Sequence, residues 1–133
     1  MKMFLIFMAS ALLLISSCQE NITDSCETEK INFSGTFQEV QANVFTPYCI
    51  SCHGETVQNG GLNLSAGKAY GNLVNADAQG ASLKRVVPGN SDDSYLMRRL
   101  RGTQDALMPP SGKLSDQLLN LVQRWIELGA KNN

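Results

Sequence analysis

The sequence predicts a small all-α domain, and three observations carry that expectation. Near the C-terminus, Leu118, Leu121, Val122, Trp125 and Ile126 recur at helical spacing and form a broad apolar stripe. The stretch from Asn90 to Gly102 carries the start and stop signals of a helix at its two ends. No alternating run of strand type exceeds a few residues, and no internal repeat is present.

From the N-terminus, residues 1–17 read as an export signal. Lys2 supplies a basic start, an apolar run follows from Met3 to Ile15, and small residues come next. A membrane span needs about 20 apolar residues, so the run is short for a transmembrane helix. Ile15-Ser16-Ser17-Cys18 resembles the lipobox of bacterial lipoproteins, in which the cysteine becomes the lipidated N-terminus after cleavage. Cys18 is therefore the expected lipid attachment residue, and the ordinary alternative is a thiol paired with Cys26. Each buried CH₂ contributes about 0.8 kcal/mol, so two or three acyl chains would hold the protein firmly on a membrane. The expected location is outside the cytoplasm, in the bacterial periplasm or at the cell surface. Residues 18–35 read as the lipidated N-terminus and a polar tether, and residues 36–133 as the folded domain.

Within that domain, Phe37, Val40 and Val44 have helical spacing, and Pro47 is expected to close their helix. Asn59-Gly60-Gly61 predicts a turn and Leu62-Asn63-Leu64 a short extended piece. A helix is expected over 65–74 with Tyr70, Leu73 and Val74 inward, although Gly67 and Gly71 each cost it about 1 kcal/mol relative to alanine. Residues 75–90 read as a loop. The following helix is expected to start at Asn90 or Ser91, with Asp92 and Asp93 in its first turn. Arg98, Arg99 and Arg101 then fill its last turn before Gly102, so charge opposes the helix dipole at both ends. Residues 103–113 are irregular. The last helix is expected from Ser115, stapled by Leu114 and Leu119 and ended by Gly129.

Formal net charge is −1 and charged residues make up 17 % of the chain, without a polybasic run. This excludes an electrostatic nucleic-acid binder and a surface held to anionic lipid by charge alone.

The chemistry lies in Cys49-Ile50-Ser51-Cys52-His53, a C-x-x-C-H motif. Two cysteines three positions apart can reach both vinyl groups of one porphyrin as thioethers, and the adjacent histidine comes up beneath the iron. Gly54 lets the chain turn away. Three other chemistries fit less well. A redox C-x-x-C belongs near a βαβ pattern, which is absent. A zinc site needs a fourth ligand, and adjacent Cys52 and His53 would strain a tetrahedral ion. A plain disulfide leaves His53 without a role. Haem c is attached outside the cytoplasm, so the leader and the motif agree on one expected cofactor: a single covalent haem c.

His53 is the only histidine, so a second axial ligand must come from another residue type. With Met1, Met3 and Met8 in the leader, Met97 and Met108 remain. Met97 lies mid-helix, where packing is the default. Met108 precedes Pro109 and Pro110 in an irregular stretch, which favours extended backbone and frees the thioether to reach an open haem face. Met108 is the preferred ligand, and a gap-filling core methionine is the ordinary alternative. Arg98, Arg99 and Arg101 read first as solvated complements of the helix end, Trp125 as core, and Tyr48 and Tyr95 as candidates to flank the haem.

From Tyr48 to Ala130 the chain resembles the small cytochrome c domains of bacterial surface and periplasmic proteins, especially the planctomycete-type cytochrome c domain. The strings that carry this are CISCHG from Cys49, GGLNL from Gly60, VVPGN from Val86, SYL from Ser94, MPPSG from Met108, LSD from Leu114 and RWIELGA from Arg124. The resemblance implies a helical cytochrome c fold wrapped around one covalently bound haem. It also implies attachment through Cys49, Cys52 and His53, with Met108 as distal ligand and iron held by His53 and Met108. Its expected role is electron transfer between redox partner proteins, without catalysis. A ligand-binding haem module (gas sensor or peroxidase-like) and a haem-bearing docking subunit of a larger redox complex are the alternatives.

Overall fold

The computed structural model describes residues 32–133. The expected export signal, Cys18 and Cys26 lie outside the described residues. Thr36 opens the first helix through a capping box: its hydroxyl accepts from the Glu39 amide at 3.2 Å, and the Glu39 carboxylate accepts from the Thr36 amide at 2.9 Å. Helix α1 (Phe37–Val40) runs into a π turn at Gln41–Phe45 and then into α2 (Thr46–Tyr48). The expectation that Pro47 closes this helix is corrected, because Pro47 lies inside α2. Proline lacks a donor and crowds the carbonyl one turn back. The wider π turn, in which the Thr46 amide reaches back to the Gln41 carbonyl, accommodates it.

Asn59–Gly61 forms one 3₁₀ turn, with Gly60 and Gly61 at φ +65° and +61°. Helix α3 (Ala69–Leu73) is shorter than the expected 65–74. Gly67, at φ +79°, takes the chain out of helical conformation just before it. Helix α4 (Tyr95–Arg101) also starts later than expected, so Asp92 and Asp93 sit in a preceding turn and not in its first turn. The cause is hydrogen bonding. The Asn90 side chain accepts from the Asp93 amide at 3.1 Å, while the buried Ser94 hydroxyl donates to the Asn90 carbonyl at 2.7 Å and accepts from the Val87 amide at 2.9 Å. Gly102 ends α4 in left-handed conformation, as its sequence predicts.

Helix α5 (Asp116–Glu127) is capped by Ser115, whose hydroxyl accepts from the Leu118 amide at 3.4 Å. Leu114 and Leu119 are both buried around this cap, and Leu119 lies deeper than Leu118. The α5 stripe packs on α1 and α4. Trp125, Val122 and Ile126 are fully buried, and the Phe37 ring meets Trp125 at 5.3 Å, Tyr70 at 5.4 Å edge-on and Phe45 at 6.2 Å. The Trp125 indole donates to the Lys131 carbonyl at 2.9 Å, and the Gln38 amide donates to the Asn133 carbonyl at 3.0 Å, tying the last residues to α1.

Between α3 and α4 the chain crosses itself through isolated bridges, Val74 with Val86 and Asp77 with Lys84. Among the described residues no bridge extends into a strand, so the domain is mostly helical. No described helix is long and apolar enough to cross a membrane.

Candidate functional site

The C-x-x-C-H motif winds off the end of α2 as successive turns. The Cys49 amide donates to the Phe45 carbonyl at 2.9 Å, and the Cys49 carbonyl accepts from both Cys52 at 3.1 Å and His53 at 2.8 Å. Gly54 is required by contact: a Cβ there would press on the Ile50 carbonyl. The Leu64 amide donates to the His53 carbonyl at 2.6 Å, which pins the motif to the extended piece after the 3₁₀ turn.

The His53 side chain has one defined partner, the Asn59 carbonyl, 2.9 Å from Nδ1. A carbonyl only accepts, so Nδ1 carries the proton and Nε2 keeps its lone pair. Burial, with Arg99 and Arg85 nearby, lowers the His53 pKa from its ordinary value against the opposing bond to Asn59. Cys49 is half-buried, and burial with the neighbouring Cys52 pushes its thiol up to about 11. Cys52 is exposed.

Cys49, Cys52, His53 and Met108 all line one cleft, partly open to solvent, with a cavity volume of about 180 Å³. Leu62, Leu64, Leu73, Leu96 and Leu100 give the cleft an apolar lining, and Pro109 and Pro110 stand beside Met108. Met97 is fully buried in the core and does not line the cleft. Tyr48 and Tyr95 do line it.

Arg85 is the lining residue that sequence reasoning missed. It is nine-tenths buried, and its guanidinium donates to the carbonyls of Asn72 at 2.9 Å, Gly60 at 2.9 Å and Gly61 at 3.2 Å. It thereby joins the end of α3 to the 3₁₀ turn. An arginine in a loop defaults to solvent, and its place inside VVPGN's preceding position carries no periodic signal. Arg85 and Arg99 bring two positive charges to the cleft, whose lining includes no carboxylate. Neither belongs to a described ion pair, whereas Arg98 and Arg101 pair with Asp93 and Asp92. The solvated-complement reading therefore fits Arg98 and Arg101 better than Arg99.

No curated protein and no solved structure matches this chain. The family model of planctomycete cytochrome C matches residues 49–112, which supply every lining residue of the cleft except Tyr48. Residues 49–112 therefore match a planctomycete-type cytochrome c domain.

Proposed function

We propose that this domain is an exported, lipid-anchored monohaem cytochrome that carries electrons between redox proteins. The observation that carries the reading is the gathering of Cys49, Cys52, His53 and Met108 around one apolar cleft. The family implies covalently bound haem c, and the donor set fits that group. Two thiols at the right spacing would hold it, and an imidazole and a thioether would suit its iron as ligands. Arg85 and Arg99, neither in a described ion pair, would bring positive charge to its carboxylates. When bound, the haem supplies a one-electron ferric–ferrous couple.

The chain's own residues prepare for that couple. The Asn59 carbonyl orients His53 and leaves Nε2 as the ligating atom. The leucine lining would shield the group from water, and a neutral Met108 sulfur together with two nearby cations would favour its reduced form. His53 is the only histidine, so the chain offers no distal imidazole for peroxidase-type proton transfer. This supports a carrier over an enzyme. The leader and Cys18 support export and a lipid anchor, with donor and acceptor proteins as the partners.

The test is an equilibrium redox titration of the chain produced with a c-type maturation system. A reversible one-electron transition, lost together with covalent haem in the Cys49→Ala, Cys52→Ala variant, supports the proposal. Failure to attach haem, or an irreversible reaction with substrate turnover, refutes it.

A further inference from the structure

We infer that Arg99 is the positioning residue for Met108: together with Tyr95 and Asp105 it latches the 103–108 loop onto α4, and so keeps the thioether on the iron. The inference rests on the proposed ligation by Met108.

The loop leaves α4 at Gly102, at φ +67°, where Leu107 packs 3.2 Å from the position a Cβ would take. Arg98 ties its start, donating to the Gln104 side chain at 3.1 Å and accepting from the Thr103 amide at 3.0 Å, and closer to Met108 three further bonds return it to the helix. The Asp105 carboxylate accepts from the Tyr95 hydroxyl at 2.7 Å. The Ala106 carbonyl accepts from Arg99 Nε at 2.8 Å. The Met108 amide donates to the Arg99 carbonyl at 3.0 Å. Downstream of Met108, Pro109 and Pro110 have no amide to donate, which leaves these upstream ties to fix the loop.

The bonds form one directed chain. A hydroxyl has a single proton, and that of Tyr95 goes to Asp105, so its oxygen accepts from Arg99 Nη1 at 2.9 Å. Charge thus runs from guanidinium through phenol to carboxylate, the arrangement that strengthens each bond. The Arg99 carbon also lies 5.5 Å from the Tyr95 ring centre. Arg99 uses two edges of one planar fork at once, Nε for the loop backbone and Nη1 for the phenol. A lysine ammonium cannot reproduce that geometry. Asp105 itself sits at φ +57°, a left-handed conformation uncommon outside glycine, and its bond to Tyr95 holds it there. A residue that merely complemented the end of α4 would need none of this.

The test uses the haem-loaded full chain and compares Arg99→Lys, which keeps the charge and removes the fork, with Tyr95→Phe, which removes the central hydroxyl, and with Met108→Ala. The latch predicts a weakened far-red methionine–iron band in Arg99→Lys. It also predicts a roughly tenfold larger carbon monoxide-binding fraction, the scale set by losing one or two charge-assisted hydrogen bonds. Tyr95→Phe should shift both in the same direction by less. Amide hydrogen exchange at residues 103–108 should quicken in both variants, a readout independent of the iron. If Arg99→Lys fails to load haem, Tyr95→Phe carries the comparison. Wild-type band, carbon monoxide response and exchange in the loaded variants, alongside loss of the band in Met108→Ala, overturn the latch alone. An unchanged band in Met108→Ala overturns the ligation and the latch with it.

Discussion

Glu39 shows how much one side chain can hold. Its carboxylate accepts from the amides of Thr36, Gly35 and Ser34 and from the Ser34 hydroxyl, all between 2.8 and 3.1 Å. These bonds, that from Thr36 foremost, bring its pKa down from 4.5 to about 2. The folded state therefore binds this proton less readily than the unfolded chain. Its stabilisation is complete above pH 4.5 and is lost as pH falls toward 2. Melting temperatures across that window should fall less steeply in Glu39→Gln than in the parent, and parallel curves would contradict the assignment. At this scale the motif residues were legible because each has a chemical reason for its spacing: thiol, thiol, imidazole, then a glycine that close contact with Ile50 demands. Elimination and its prolines single out Met108, and the structure places it on the same cleft as the motif. Arg85 was not legible, because nothing in a loop sequence says that a guanidinium will turn inward to three carbonyls.

Helix α5 was legible because five of its residues repeat at one period and Ser115, Leu114 and Leu119 mark its start. The shorter helices were misjudged at their beginnings, where local chemistry outweighs period. Gly67 delays α3, and Ser94 delays α4 by binding backbone groups of the preceding turn. Pro47 misled in the other direction, since a π turn can take a ring that an α-helix cannot. Ser94→Ala should then cost about 1–3 kcal/mol in urea unfolding, because it strands the Val87 amide and the Asn90 carbonyl around a fully buried site. A loss below about 0.5 kcal/mol, the scale of an ordinary surface change, would mean that the hydroxyl does not set the helix start.

Across the molecule, two regions divide the work. The α1–α5 contact, with Phe37 against Trp125 and the chain end returned to Gln38, is a core that the chain closes with its own residues. On the cleft side Leu64, Leu73 and Leu100 are already buried by the chain, while Leu62 and Leu96 are only partly covered, so the proposed cofactor would complete the packing there. In the haem-free Cys49→Ala, Cys52→Ala chain, hydrogen exchange should therefore quicken across 49–64 and 95–110 while α5 stays protected. Uniform protection would show that the cleft closes without haem. The fold class was legible because helical period survives in a single sequence; the bridged crossing between α3 and α4 was not, because one-residue bridges leave no pattern to read. Electron transfer as proposed requires an iron closed by His53 and Met108. The visible spectrum of the haem-loaded chain, oxidised and reduced, with and without carbon monoxide, examines that closure. A low-spin spectrum with a far-red methionine–iron band, indifferent to carbon monoxide and altered in Met108→Ala, is the expected result. A high-spin spectrum or ready carbon monoxide binding would contradict it and point to an open iron that binds ligands.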